Sequence, residues 1–60
     1  MSEHKTFEFT NGYGRQMIAR YNPTKDVFEV WNSANPSDVF TYLPDEVEDY
    51  LFRRIWVKCD

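Results

Sequence analysis

The sequence predicts an α+β fold: an antiparallel three- to four-stranded β-meander with one C-terminal helix packed on one face. Three observations carry that expectation. Up to Leu43 the apolar residues alternate with period two, in short runs. Asn11-Gly12, Asn22-Pro23 and Asn35-Pro36 punctuate those runs as turns. After Pro44 the spacing becomes helical, with acids at the start and bases at the far end.

Residues 1–4 are polar and are expected to fray. Lys5-Thr6-Phe7-Glu8-Phe9-Thr10 reads as a half-buried strand with Phe7 and Phe9 on one face. Asn11-Gly12 is the hairpin signal, because both residues tolerate positive φ. In the second strand, residues 15–21, Met17, Ala19 and Tyr21 share one face and Gln16, Ile18 and Arg20 the other. Asn22-Pro23-Thr24-Lys25-Asp26 follows as a turn, with proline presetting φ at its second position. The third strand, residues 27–31, offers Phe28 and Val30 to the core and leaves Trp31 beside Glu29 on the opposite face. Residues 33–38 read as a loop, and Val39-Phe40-Thr41-Tyr42-Leu43 as a fourth strand rich in β-formers.

Pro44 suits the first helical position, where its missing N–H costs nothing. Val47, Tyr50 and Leu51 form the stripe for the sheet. Phe52 and Trp56 lie four apart and off that stripe. The helix is expected to continue past them. The alternative is a helix that stops near Arg53, followed by a short last strand over residues 54–58.

Sixty residues make a single domain, in which folding buries only about 60% of the unfolded surface. Such a chain needs a staple or dense aromatic packing. With one cysteine, Cys59, no internal disulfide can form, and His4 and Cys59 are too far apart in sequence to suggest a zinc site. No metal or cofactor is expected. Two Trp, four Tyr and five Phe remain to build the core, more than one this small needs, so some are expected at the surface. Cys59 is expected to be an incidental tail residue, with no sequence neighbour that marks it as a reactive thiol.

No apolar run approaches the roughly 18 residues of a membrane span. The tripeptides at Asn22 and Asn35 carry proline in the middle and are not glycosylation acceptors. With a lone cysteine and no leader pattern, these features predict a cytoplasmic protein with no membrane partner.

Charge is segregated. Residues 1–37 balance, residues 38–49 carry five acids and no base, and the net charge of −3 comes from that block. Asp45, Glu46, Glu48 and Asp49 compensate the helix dipole on the bland reading. On the sharper one they form an acidic edge that docks on a basic surface. Tyr13, Trp31 and Trp56 are the candidate aromatic anchors, since Trp and Tyr dominate interface energetics. Catalysis has little support: His4 stands in the terminal segment, and neither a phosphate-cradling glycine loop nor a nucleophile elbow occurs. The expected function is therefore a non-enzymatic protein-binding module. A chain of this economy suits a small phage-type accessory protein that inhibits a larger, nucleic-acid-handling machine by steric and acidic-patch occlusion. Its partner would be a larger protein or complex with a basic surface. Two alternatives differ in class. One is a nucleic-acid-binding module using Arg15, Arg20, Tyr21 and Lys25. The other is a structural homo-oligomer or homodimer, closed over the sheet edge or the Trp31 face.

From residue 18 to 52 the chain resembles the small KTSC-type domain. The residues that carry the resemblance are Ala19-Arg20-Tyr21-Asn22-Pro23, Val27-Phe28-Glu29-Val30, Phe40-Thr41-Tyr42 and Leu43-Pro44-Asp45-Glu46-Val47. They match a Tyr-centred turn, a hairpin ending in an aromatic strand, and a proline-led helix. The resemblance implies a hairpin-plus-helix fold and no particular activity. After the helix, Arg53-Arg54-Ile55-Trp56 replaces the family's small residues, glycine and aromatic, so no site there transfers.

Overall fold

A computed structural model describes residues 6–59. The expectations for residues 1–4 and for Lys5 lie outside that range. Five strands and one helix follow in the order β1 (Thr6–Thr10), β2 (Gln16–Asn22), β3 (Val27–Asn32), β4 (Asn35–Tyr42), α1 (Pro44–Phe52) and β5 (Val57–Lys58). The strands form one antiparallel sheet in the order β4-β3-β2-β1-β5. The expected α+β meander with a C-terminal helix is present, with one strand more than expected. Because β4 and β5 are the two edges, α1 carries the chain across one face from edge to edge.

Alternation sets the core. Phe7 pairs with Ala19, Ala19 with Val30 and Val30 with Phe40, while Tyr21 pairs with Phe28 and Phe28 with Tyr42. Phe9, Ala19, Phe28, Val30, Val47 and Trp56 are the buried residues, with Met17, Tyr42, Tyr50 and Leu51 packed against them. An aromatic network supplies the density that the small size demands. Phe9 stacks on Trp56 at 4.2 Å, Tyr42 and Tyr50 meet the same indole at 5.0 and 4.8 Å, and Phe7 links Phe9 to Phe28.

The turns depart from expectation in two places. Asn11-Gly12 does not make a two-residue hairpin turn. Asn11 and Arg15 close a three-residue loop in which Gly14, not Gly12, takes φ +79°. Asn11 Oδ1 accepts from the Tyr13 and Arg15 N–H groups at 2.9 and 3.0 Å and holds the loop. The loop expected over 33–38 contracts to a Ser33-Ala34 turn, and β4 begins at Asn35 instead of Val39. Irregularity persists inside the strand: Asn32 pairs with Asn35 and Trp31 with Val39, so residues 36–38 have no opposite residue in β3. Pro36 lacks a ladder donor and is tolerated there because β4 is an edge.

The helix opens as expected, on Pro44. Leu43 is the N-cap and has no side-chain acceptor, so only half of a capping box forms: Glu46 Oε1 accepts the Leu43 N–H at 3.1 Å. The expected continuation of the helix is incorrect, because α1 ends at Phe52. Ile55 N–H donates to Tyr50 O at 2.9 Å and Arg54 N–H to Leu51 O at 3.2 Å, the paired bonds of a Schellman termination. Arg54 takes the left-handed position usually given to glycine, with φ +63°. Trp56 is thereby turned under the helix, and Val57–Lys58 pairs with Thr10 and Phe9 as β5. Lys58 is therefore not a helix-terminal charge; its Nζ lies 4.8 Å from the centre of the Phe7 ring.

Candidate functional site

The outer stripe of α1 assembles most of the acidic edge. Asp45, Glu48, Asp49 and Phe52 fall at i, i+3, i+4 and i+7, so they share one face and line a shallow surface concavity. Val47, Tyr50 and Leu51 occupy the opposite face against the sheet. Phe52 is 86% exposed although aromatic, and three carboxylates flank it. Its signal in the sequence is that, like Trp56, it lies off the core stripe.

The predicted acids separate by role. Glu46 is the helix cap described above. Asp49 pairs with Arg53 Nε at 3.1 Å across an exposed surface, a contact worth at most about 1 kcal/mol. Asp45 and Glu48 accept no hydrogen bond from another described residue and carry the exposed negative charge of the stripe.

The predicted anchors also part company. Tyr13 stands 90% exposed at the β1–β2 tip. A methyl group at Gly12 beside it would come within 3.9 Å of Ile55, so the tip lies near the segment that follows Phe52. Trp31 is half-buried on the helix-free face, in register between Ile18 and Val39. Trp56 is not a surface anchor: it is 6% exposed, because the Schellman turn delivers it onto Phe9, Tyr42 and Tyr50.

The basic-aromatic set does not form one surface. Arg15 precedes β2 and Lys25 follows it, so they stand at opposite ends. Arg20 lies on the helix-free face across from Glu29, while Tyr21, the next residue, points to the helix side and packs on Phe28 at 5.3 Å. Tyr21 Oη–H donates to Asp26 Oδ1 at 2.5 Å. That bond, then desolvation and the negative charge of Asp26, raise the Tyr21 phenol above its ordinary value. Burial, with Tyr50 and Glu46 adding, raises Tyr42.

Between α1 and the sheet runs a groove of about 770 Å³ with a floor of Phe7, Phe28, Val47 and Leu51 and a rim that includes Asp26, Glu48 and Lys58. Among the described residues no group of His, Cys, Asp or Glu is placed to hold a metal ion, and no helix is long and apolar enough to cross a membrane. No family model, no curated protein and no solved structure matches this chain.

Proposed function

We propose that this chain is a non-enzymatic protein-binding module whose recognition surface is the outer stripe of α1 together with the adjoining β1–β2 tip. The observation that carries the reading is Phe52: a ring left 86% exposed, in a protein that packs Phe7, Phe9, Phe28, Tyr42, Tyr50 and Trp56 into a thin core, with Asp45, Glu48 and Asp49 around it. An aromatic side chain ringed by like charges suits a pocket with basic residues at its margin. The ring supplies affinity by desolvation, and the carboxylates supply steering and register. Tyr13 extends the same end of the molecule, while Trp56, committed to the core, takes no part. The partner is a larger protein or complex with a basic surface. In its fullest form the reading makes the chain a small cytoplasmic, phage-type accessory protein that occludes the nucleic-acid path of a larger machine.

The test is capture of a partner from nuclease-treated lysate, comparing the native chain with Phe52→Ser and with the Asp45→Lys, Glu48→Lys double variant. A stoichiometric protein that survives nuclease should be held by the native chain. Phe52→Ser should weaken it by about 30-fold or more, as loss of an aromatic anchor worth about 2 kcal/mol does. The double variant should slow association most at low salt. Capture that both variants leave intact at physiological salt would sink the proposal, as would loss of all captured material on nuclease treatment.

A further inference from the structure

The two edges of the sheet are protected unequally. β5 is two residues long and carries Lys58, both ordinary means of closing an edge to further pairing. Among the described residues β4 has a neighbour on one side only, and it is exposed as far as Thr41. Its first half is spoiled for pairing by Pro36 and the register shift. Its second half, Val39-Phe40-Thr41-Tyr42, has no proline, glycine or charge and consists of strong β-formers.

The phase of the ladder shows which groups that edge offers. Ser33 N–H donates to Gln16 O at 3.2 Å, which makes Ile18–Trp31 and Arg20–Glu29 the hydrogen-bonded pairs between β2 and β3. The β3 residues between them, Phe28 and Val30, therefore turn their main-chain groups to Tyr42 and Phe40 of β4. Val39 and Thr41 are left with N–H and C=O pointing away from the sheet. Their side chains lie on the helix-free face, and Phe40, 53% exposed, on the other.

We propose that this edge binds a second copy of the same chain, β4 to β4 about a two-fold axis at Phe40. In that register Val39 faces Thr41 of the partner subunit, and the reciprocal pair forms by symmetry, so all four outward donors and all four outward acceptors are used. The two half-exposed Phe40 rings meet at the closer, non-hydrogen-bonded position. Asp38 faces Tyr42 of the partner subunit, so no acid opposes an acid. Centring on Thr41 instead would call on the Leu43 N–H, which Glu46 already occupies. Centring on Asp38 would set carboxylate against carboxylate. The chain is thus its own best-fitting strand: uncharged, apolar on alternate sides, and edge-exposed. The product is a continuous antiparallel sheet with both helices on one face. Both outer helix stripes remain accessible, so this inference does not rest on the partner-binding reading.

Sedimentation tests it from about 10 µM to about 1 mM, the range in which contacts smaller than the usual ~800 Å² per partner dissociate. The native chain should move from the mass of one chain to that of two. Added salt should favour the dimer, since each copy carries the acidic block of residues 38–49. Thr41→Pro should remain monomeric, because its N–H points outward and no ladder bond within the subunit is lost. Phe40→Lys should do the same without any change to the main chain. In the native protein the Val39 and Thr41 amides should become protected from exchange as concentration rises, while those of Phe40 and Tyr42 stay protected throughout. A native chain monomeric at about 1 mM in high salt, or folded variants that dimerise as the native chain does, would overturn the proposal.

Discussion

The two stripes of α1 obey opposite rules over the same nine residues. On the inner stripe, Val47 is buried and Tyr50 and Leu51 pack on the aromatic network with Trp56 beneath them. On the outer stripe, Phe52 is exposed among carboxylates. Both stripes bear a large aromatic, and only one of the rings has neighbours to desolvate it. What an aromatic side chain does in this protein is decided by the surroundings to which the backbone delivers it.

Trp56→Ala should break that contrast most. Removing a buried indole typically costs about 3–5 kcal/mol, a large share of what so small a domain can hold, so the variant should be mostly unfolded by circular dichroism at 37 °C. Phe52→Ser is the counterpart on the outer stripe. Its unfolding free energy should stay within about 0.5 kcal/mol of the native value, because little apolar surface is buried there. A large loss of stability in Phe52→Ser would mean that the outer ring belongs to the core after all.

The junction between the stripes can be sharpened. Arg54 occupies a left-handed position at some cost, and Arg54→Gly should remove that strain and raise stability by about 0.5–1 kcal/mol. For a domain of this size that is a gain of a few degrees in melting temperature, about 4–8 °C per kcal/mol. A fall in melting temperature would mean that the arginine side chain, and not the turn, holds Trp56 in place.

The smallest effect lies away from the helix, at Tyr21. Its folded pKa is raised by the bond to Asp26, so the contribution of that bond is present below the unfolded tyrosine value of about 10 and is lost as pH rises through the folded value. Ultraviolet titration should show two phenols, Tyr21 and Tyr42, ionising late, and Asp26→Asn should bring only Tyr21 back toward the ordinary value. An unchanged titration in that variant would refute the assignment.

Much of the fold was legible along the chain. Phe7, Phe9, Phe28 and Val30 declared their face by alternation, and Pro44 with the acids behind it marked the helix start. The course of the chain after Phe52 was not decided there, for one reason. A Schellman ending is announced in sequence by glycine, and Arg54 stands in its place. The helix stop near Arg53 and the short last strand therefore stood only as the alternative reading, and the burial of Trp56 was not foreseen. The candidate site was half legible: Asp45, Glu48, Asp49 and Tyr13 stood out by charge and turn chemistry, but Phe52 acquired its meaning only when Trp56 left the surface.

The sequence by itself determined the periodicities, the turn sites and the charge segregation, because each depends on residues close along the chain. Tertiary structure alone decided that Trp56 would be core and Phe52 would not. Phe9, Tyr42, Tyr50 and Trp56 lie far apart in sequence and share one contact set only after the sheet has closed. Burying the indole against three rings there outweighs the strain of one left-handed arginine.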